Sequence, residues 1–241
     1  MIDWLKRSPR EVPVIEIDGQ VLPIVIRRLS NARRMTMRVA PDGSEVRLSL
    51  PRWGRTAEAL AFARSRRDWL AEQIAAMPKA QAPEAGGTIR YRGETLRIDH
   101  TLNGRRKPEL GDGAIRIGGP AESLPARLKR WLEAEARALL AEDLAFYCAR
   151  AGRSAPKLAL SNARRRWGSC GPDGAIRINW RLVMAPDFVR RSVVAHEVAH
   201  LVHFDHSPRF HTLLGELFEG NIDQANAWLK REGRGLYSSF G

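Results

Sequence analysis

Cysteine is nearly absent from this chain: Cys148 and Cys170 are its two thiols in 241 residues. Two thiols build neither a disulfide framework nor a four-cysteine metal site. With 44% hydrophobic residues, a chain of this length can bury a core without covalent staples, and a reducing compartment is the simpler expectation. Long hydrophobic runs are missing too. The stretch PVIEIDGQVLPIVI is cut by charges and proline well short of the roughly 20 residues that a spanning helix needs, so no membrane segment is expected. The start, MIDWLKRSPREV, is positively charged but has no apolar stretch behind it and no small-residue cleavage site, which makes a cytoplasmic location the expectation. Acidic residues are in deficit: 27 Asp plus Glu against 40 Lys plus Arg leave a net charge of +13. That charge attracts polyanions, so nucleic acid is a candidate partner, although the basic residues are scattered rather than gathered in one block.

What is present organises into a β-rich start and a helical end. Residues 12–17, 21–29, 34–40 and 45–50 alternate apolar with polar side chains, and Asp18-Gly19 and Asp42-Gly43 are hairpin signals, so an antiparallel meander is expected. After Pro51, the mixed three and four spacing of Ala59, Phe62, Ala63, Trp69, Leu70 and Ile74 predicts one amphipathic helix. The segment PKAQAPEAGG reads as a linker or loop. Short strands around Arg92-Gly93 and Asp112-Gly113 follow. Leu128, Trp131, Leu132, Ala138, Leu139 and Phe146 then predict one long helix over 123–151, capped by Gly152. Two strands flank ARRRWGSCGPDG, and the last 55 residues read as helices, with Ser207-Pro208 as an N-cap followed by proline and Gly220 as a C-terminal cap. The expectation is an α+β protein: a β-rich N-terminal region with one helix over 1–119, and a helical catalytic domain with a small sheet over 120–241. No internal repeat is evident.

Five of the six histidines stand at positions 196, 200, 203, 206 and 211, and the first two frame a glutamate as His196-Glu197-Val198-Ala199-His200, an HExxH pattern. Four helical residues turn through about 400°, so both imidazoles leave one face a turn apart and can share a zinc ion, while Glu197 stands beside them as a general base. The surrounding small and apolar residues suit a buried helix with one polar seam.

A catalytic zinc needs a third protein ligand and an open position. On a continuing helix His206 would lie about 240° around from His200, on the wrong face. The pattern breaks at Asp205 to Pro208, however, which frees His206 to swing back, and it is the favoured ligand. Glu219 and Glu216 on the next helix are the alternatives. His211 reads as solvated or hydrogen-bonded, His203 as a supporting or surface group, and Cys170 as a small buried residue.

These residues resemble a known family. RRWGSCGPDGAIRINWRLVMAP followed by VVAHEVAHLVHFDHSPRF is similar to the YgjP-like metallopeptidases, related in turn to the WLM and SprT-like zincins; the likeness is close over about residues 155–220. It implies a zincin-like catalytic domain with zinc on His196, His200 and His206 and with Glu197 catalytic. Family members commonly carry Asn and an aromatic residue where Asp205 and His211 stand. From the residues themselves, Gly168 would permit a substrate backbone to approach an edge strand, and Arg166 could stabilise a developing oxyanion. The expected activity is zinc-dependent hydrolysis of peptide bonds in a peptide or protein substrate. Two alternatives use the same site: a metal-dependent nucleoside triphosphate pyrophosphohydrolase, and a DNA-associated protease.

Overall fold

The structure, a computed structural model, describes residues 12–40, 43–76 and 81–240; among them are six α-helices and three small sheets, a mixed α+β architecture. The chain divides into two compact units, 1–77 and 78–241. The division expected near residue 119 was drawn where the strands end; by packing, the strands after the PKAQAPEAGG segment belong with the helices that follow them.

In the first unit, β1 (Val14–Ile17), β2 (Gln20–Leu29), β3 (Thr36–Val39) and β4 (Val46–Pro51) form a sheet in the order β1-β2-β4-β3. It is not the expected meander. β1 and β3 pair antiparallel with β2 and β4, but β2 and β4 run parallel. Burial explains the order: Val46, Leu48 and Leu50 of β4 are fully buried, so β4 lies inside, whereas β3 exposes Arg38 and takes the edge. Of the two turn signals here, Asp18-Gly19 forms the β1–β2 turn with both φ angles positive, while Asp42 lies outside the described residues. The helix expected after Pro51 is two, α1 (Thr56–Ser65) and α2 (Arg67–Ala75). The Ser65 hydroxyl donates to the Phe62 carbonyl, competing with the helical ladder where the break occurs. Ala59, Ala63 and Leu70 bury against the sheet; Trp69 does not join that buried set.

The second unit opens with a sheet of the same design. β5 (Thr88–Tyr91), β6 (Glu94–Thr101), β7 (Glu109–Gly111) and β8 (Ala114–Gly118) are ordered β5-β6-β8-β7, again with two antiparallel pairs joined by a parallel one. Ile15, Ile17, Gly19, Leu22 and Ile24 have counterparts in Ile89, Tyr91, Gly93, Leu96 and Ile98, all buried except the two turn glycines. The chain therefore contains a structural repeat that its sequence hides, because only the inward positions and the turn are shared.

The 27-residue helix α3 (Leu124–Arg150) is the spine of this unit, burying Leu128, Leu132, Ala136, Leu140 and Leu144 in one stripe. It ends in a Schellman motif: Arg153 N–H bonds to the Cys148 carbonyl and Gly152 N–H to that of Ala149, with Gly152 at φ 63°. β9 (Leu158–Ser161), β10 (Gly168–Cys170) and β11 (Ile176–Asn179) form the third sheet in the order β10-β11-β9, which leaves β10 on an edge. A 3-10 turn over Trp180–Met184 leads to α4 (Asp187–Ala199), α5 (Pro208–Leu217) and α6 (Ile222–Glu232). Ser207 is the N-cap residue of α5 and Pro208 opens the helix, as expected, but α5 stops at Leu217, before Gly220.

Two devices fix α4. The β5–β6 turn docks on the segment before it: Arg92 and Gly93 N–H groups bond to the Val183 and Met184 carbonyls, and the Arg92 side chain pairs with Asp187. Arg92 holds φ at 51°, an uncommon conformation for a residue with a side chain, and these bonds stabilise it. A Cβ on Gly93 would lie 2.9 Å from Pro186 Cα. Toward α3, Arg190 of α4 and Asp143, each 3% exposed, form a buried ion pair at 2.7 Å, and Arg190 also pairs with Asp187, the carboxylate that Arg92 holds.

Candidate metal centre

Helix α4 carries His196 and Glu197 on its last turn and has His200 as its C-cap residue. The helix then tightens instead of continuing: Leu201 and Val202 N–H groups bond three residues back, to the Val198 and Ala199 carbonyls. It thus ends earlier than the Asp205–Pro208 break alone suggested. The turn that follows returns His206 to the helix, and Ser207-Pro208 starts α5 immediately beyond it. Asp205 helps shape this return by accepting the Ser207 N–H at 3.3 Å.

One ligand atom from each of His196, His200 and His206 lies within 4.8 Å of the others. The Nε2 atoms of His196 and His206 are 3.3 Å apart. Two nitrogens each about 2.0–2.1 Å from a tetrahedral zinc ion stand about 3.3–3.4 Å from one another, so the donor set has the spacing such an ion requires. His200 Nδ1 donates to the His203 carbonyl at 3.1 Å, which leaves its Nε2 lone pair for a metal. His203 therefore contributes its backbone, not its imidazole. Phe210, fully buried, packs beneath all three rings at centroid distances of 5.0, 4.5 and 4.9 Å. Sequence reading noted Phe210 only as part of a motif; its place under the imidazoles follows from the first turn of α5.

Burial and the neighbouring imidazoles of His200 and His206 push His196 down to about 4, so it is a neutral imidazole at physiological pH. Burial pushes Glu197 up to about 7, opposed by a hydrogen bond from the Cys170 backbone and by the charge of Arg166. Glu197 is 6% exposed, and β10 explains how a carboxylate fits there: a Cβ on Gly168 would lie 2.4 Å from its Oε1. Gly168 makes room for Glu197 itself. Arg166 is exposed beside the site, while Trp167 packs on Tyr237 at 5.7 Å. Cys170 is half-buried rather than buried, and burial with the charges of Glu197 and Asp173 pushes its thiol up, away from thiolate chemistry.

The alternative acidic ligands are elsewhere. Glu219 accepts from Tyr147 Oη at 2.8 Å and Arg191 Nε at 2.7 Å, and Glu216 is exposed on α5 with its carbonyl bound to Arg150. His211 is exposed, as expected. Beside the cluster lies a cavity of about 200 Å³, bounded by His196 and Glu197 and by Trp167, Val193, Leu214 and Leu229; no lysine or arginine lines it. Sequence reading missed it because its walls come from β10, α4, α5 and α6, which are distant in the chain.

No helix among the described residues is long and apolar enough to cross a membrane. Comparison with known proteins finds no match among curated proteins or solved structures. The family model described as YgjP-like, metallopeptidase domain, matches residues 33–232, a span that takes in most of the first unit as well as the histidine cluster. With so much of the chain matched, and three imidazoles converging beside a buried glutamate, this protein belongs to the YgjP-like metallopeptidase-domain family.

Proposed function

We propose that the protein is a zinc-dependent peptidase in which His196, His200 and His206 hold the ion and Glu197 is the general base. The observation that carries this reading is the gathering of three imidazole nitrogens within 4.8 Å next to a carboxylate that burial has raised toward neutrality. Zinc bound there supplies Lewis-acid polarisation of a substrate carbonyl and lowers the pKa of water. Glu197 takes the proton of the attacking water on its carboxylate and delivers it to the leaving amine nitrogen. Its own surroundings bring the carboxyl to about 7, and a nearby cation would lower it again, so it can both accept and release a proton in the neutral range.

The rest of the site suits an extended peptide. β10 is an edge strand beside α4, where a substrate backbone can pair in the manner of an added strand. Arg166, exposed next to Glu197, is placed to stabilise negative charge on the carbonyl oxygen. The neighbouring cavity accepts an uncharged side chain of leucine size; with no lysine or arginine in its lining it offers a triphosphate no partner besides the ion, which sets peptide hydrolysis ahead of nucleotide hydrolysis. Under this reading the second unit is the zincin-like catalytic domain.

Metal analysis with a peptide-hydrolysis screen tests the proposal. Wild type and Glu197→Gln are expected to hold equal amounts of zinc, with turnover reduced about 10²–10⁴-fold in the variant. Full activity in Glu197→Gln, or zinc retained after His196 and His206 are both replaced by alanine, would overturn it.

A further inference from the structure

We propose that a second cavity, at the start of α3, is a binding site for an organic phosphate. It measures about 560 Å³, and its lining includes Arg106, Lys107, Arg127 and Arg130 but no acidic residue and none of the histidine-site residues. Four cations around one concavity repel one another, an arrangement that costs stability unless an anion joins them.

Arg127 points to that anion most directly. It is 9% exposed, and two of its donors are engaged by backbone carbonyls: Nη2 with Pro120 at 2.7 Å and Nε with Ser123 at 3.4 Å. Among the described residues its buried Nη1 has no hydrogen-bond partner and no carboxylate pairs with the guanidinium. The carbonyl bonds account for a structural role, holding the turn before α3, but they leave the charge uncompensated. A buried guanidinium without a counter-charge is unfavourable, and a phosphate oxygen beside it would offset that cost with charge-assisted hydrogen bonds. The guanidinium packs against Gly119, at φ 96°, where a Cβ would lie 2.7 Å from Nη1, so its position depends on residue 119 lacking a side chain.

Arg106, Lys107 and Arg130 form the exposed part of the lining, and among the described residues none of them is in an ion pair. Their charges are available to the phosphate. Pro108 and Trp131 form an apolar part of the same wall, which suits a ligand with a flat or hydrocarbon portion better than inorganic phosphate. Such a phosphate group can belong to a small monoester or to a nucleic-acid strand; a volume of about 560 Å³, which is the size of one small ligand, favours the small monoester.

Isothermal titration of the full chain with phenyl phosphate, inorganic phosphate and a ten-residue oligothymidylate, each with zinc-loaded and chelator-treated protein, tests the site. Expected are saturable one-to-one binding of phenyl phosphate, tighter than inorganic phosphate, equal with and without zinc, and weakened about tenfold or more in Arg106→Ala and in Arg130→Ala, whose exposed side chains can be removed without unfolding the protein. Arg127→Lys, which keeps a charge but loses the guanidinium, is expected to weaken it as well. Binding that requires zinc, that is unchanged in both alanine variants, or that is seen only with the oligonucleotide would overturn the proposal, as would no saturable binding of phenyl phosphate at millimolar concentration.

Discussion

At the scale of single residues, the site is a problem of fitting a carboxylate into a crowded place. Glu197 is buried between α4 and β10, and its position depends on Gly168 lacking a side chain. Gly168→Ala would set a methyl group 2.4 Å from Glu197 Oε1 and displace it. A misplacement of about 1 Å costs on the order of 100-fold in rate, so kcat is expected to fall by about that factor while zinc content stays at the wild-type level, because the three imidazoles are untouched. Parallel kcat and zinc measurements check this; undiminished kcat would show that Glu197 has room to spare. The proposed site residues of α4 are legible in the chain, since HExxH on a helix fixes the relative places of two imidazoles and a carboxylate by spacing alone. Sequence also marked Gly168 and Arg166, but it assigned Gly168 to substrate approach, because the nearness of residues 168 and 197 is a product of folding.

At the scale of elements, α4 must be held to a fraction of an ångström, and two linked sets of contacts at its start hold it. The Arg190–Asp143 pair ties it to α3 with both charges out of water. Asp143→Ala would leave the buried Arg190 only its pair with Asp187 and strip Nε of its partner, a loss on the order of 1–3 kcal/mol. Urea denaturation is expected to show that loss, with a smaller loss in the double variant that also carries Arg190→Met. The cavity beside the histidine cluster is likewise a product of elements, with walls from β10, α4, α5 and α6. Introducing a carboxylate there by Leu229→Asp is expected to shift peptide preference from aliphatic toward lysine or arginine side chains, read from cleavage of a peptide library. An unchanged preference would mean that substrate side chains do not enter this cavity. Element boundaries were partly legible: the long α3 and the Ser207-Pro208 start of α5 follow from capping and periodicity, while the Ser65 break between α1 and α2 rests on one hydroxyl and gave no periodic signal.

At the scale of the whole molecule, the chain holds two separate apolar cores, one built on β1–β4 with α1 and α2, the other on α3 and the elements around it. Two cores permit two cooperative transitions. Leu48→Ala and Leu132→Ala, both at fully buried positions, are each expected to cost about 2–5 kcal/mol, in different transitions of a thermal or denaturant scan. A single transition shifted equally by both would show that the units unfold together. Both sheets share strand order and an inward apolar alternation, which groups them along the chain up to residue 119, although each packs on different helices.

The sequence by itself determined the two histidines and the glutamate of α4, the ending of that helix before His206, the long α3 and the strand-rich character of the start. All of these depend on spacing, capping and periodicity within about one turn or one hairpin. Only the tertiary structure decided that His206 rather than Glu216 or Glu219 joins the histidine pair, that Glu219 is instead engaged by Tyr147 and Arg191, that β2 and β4 run parallel, and that Arg127 lies buried without a counter-charge. Those outcomes are contacts between residues far apart in the chain. They are selected by which apolar faces can be buried together, a choice that no local pattern encodes.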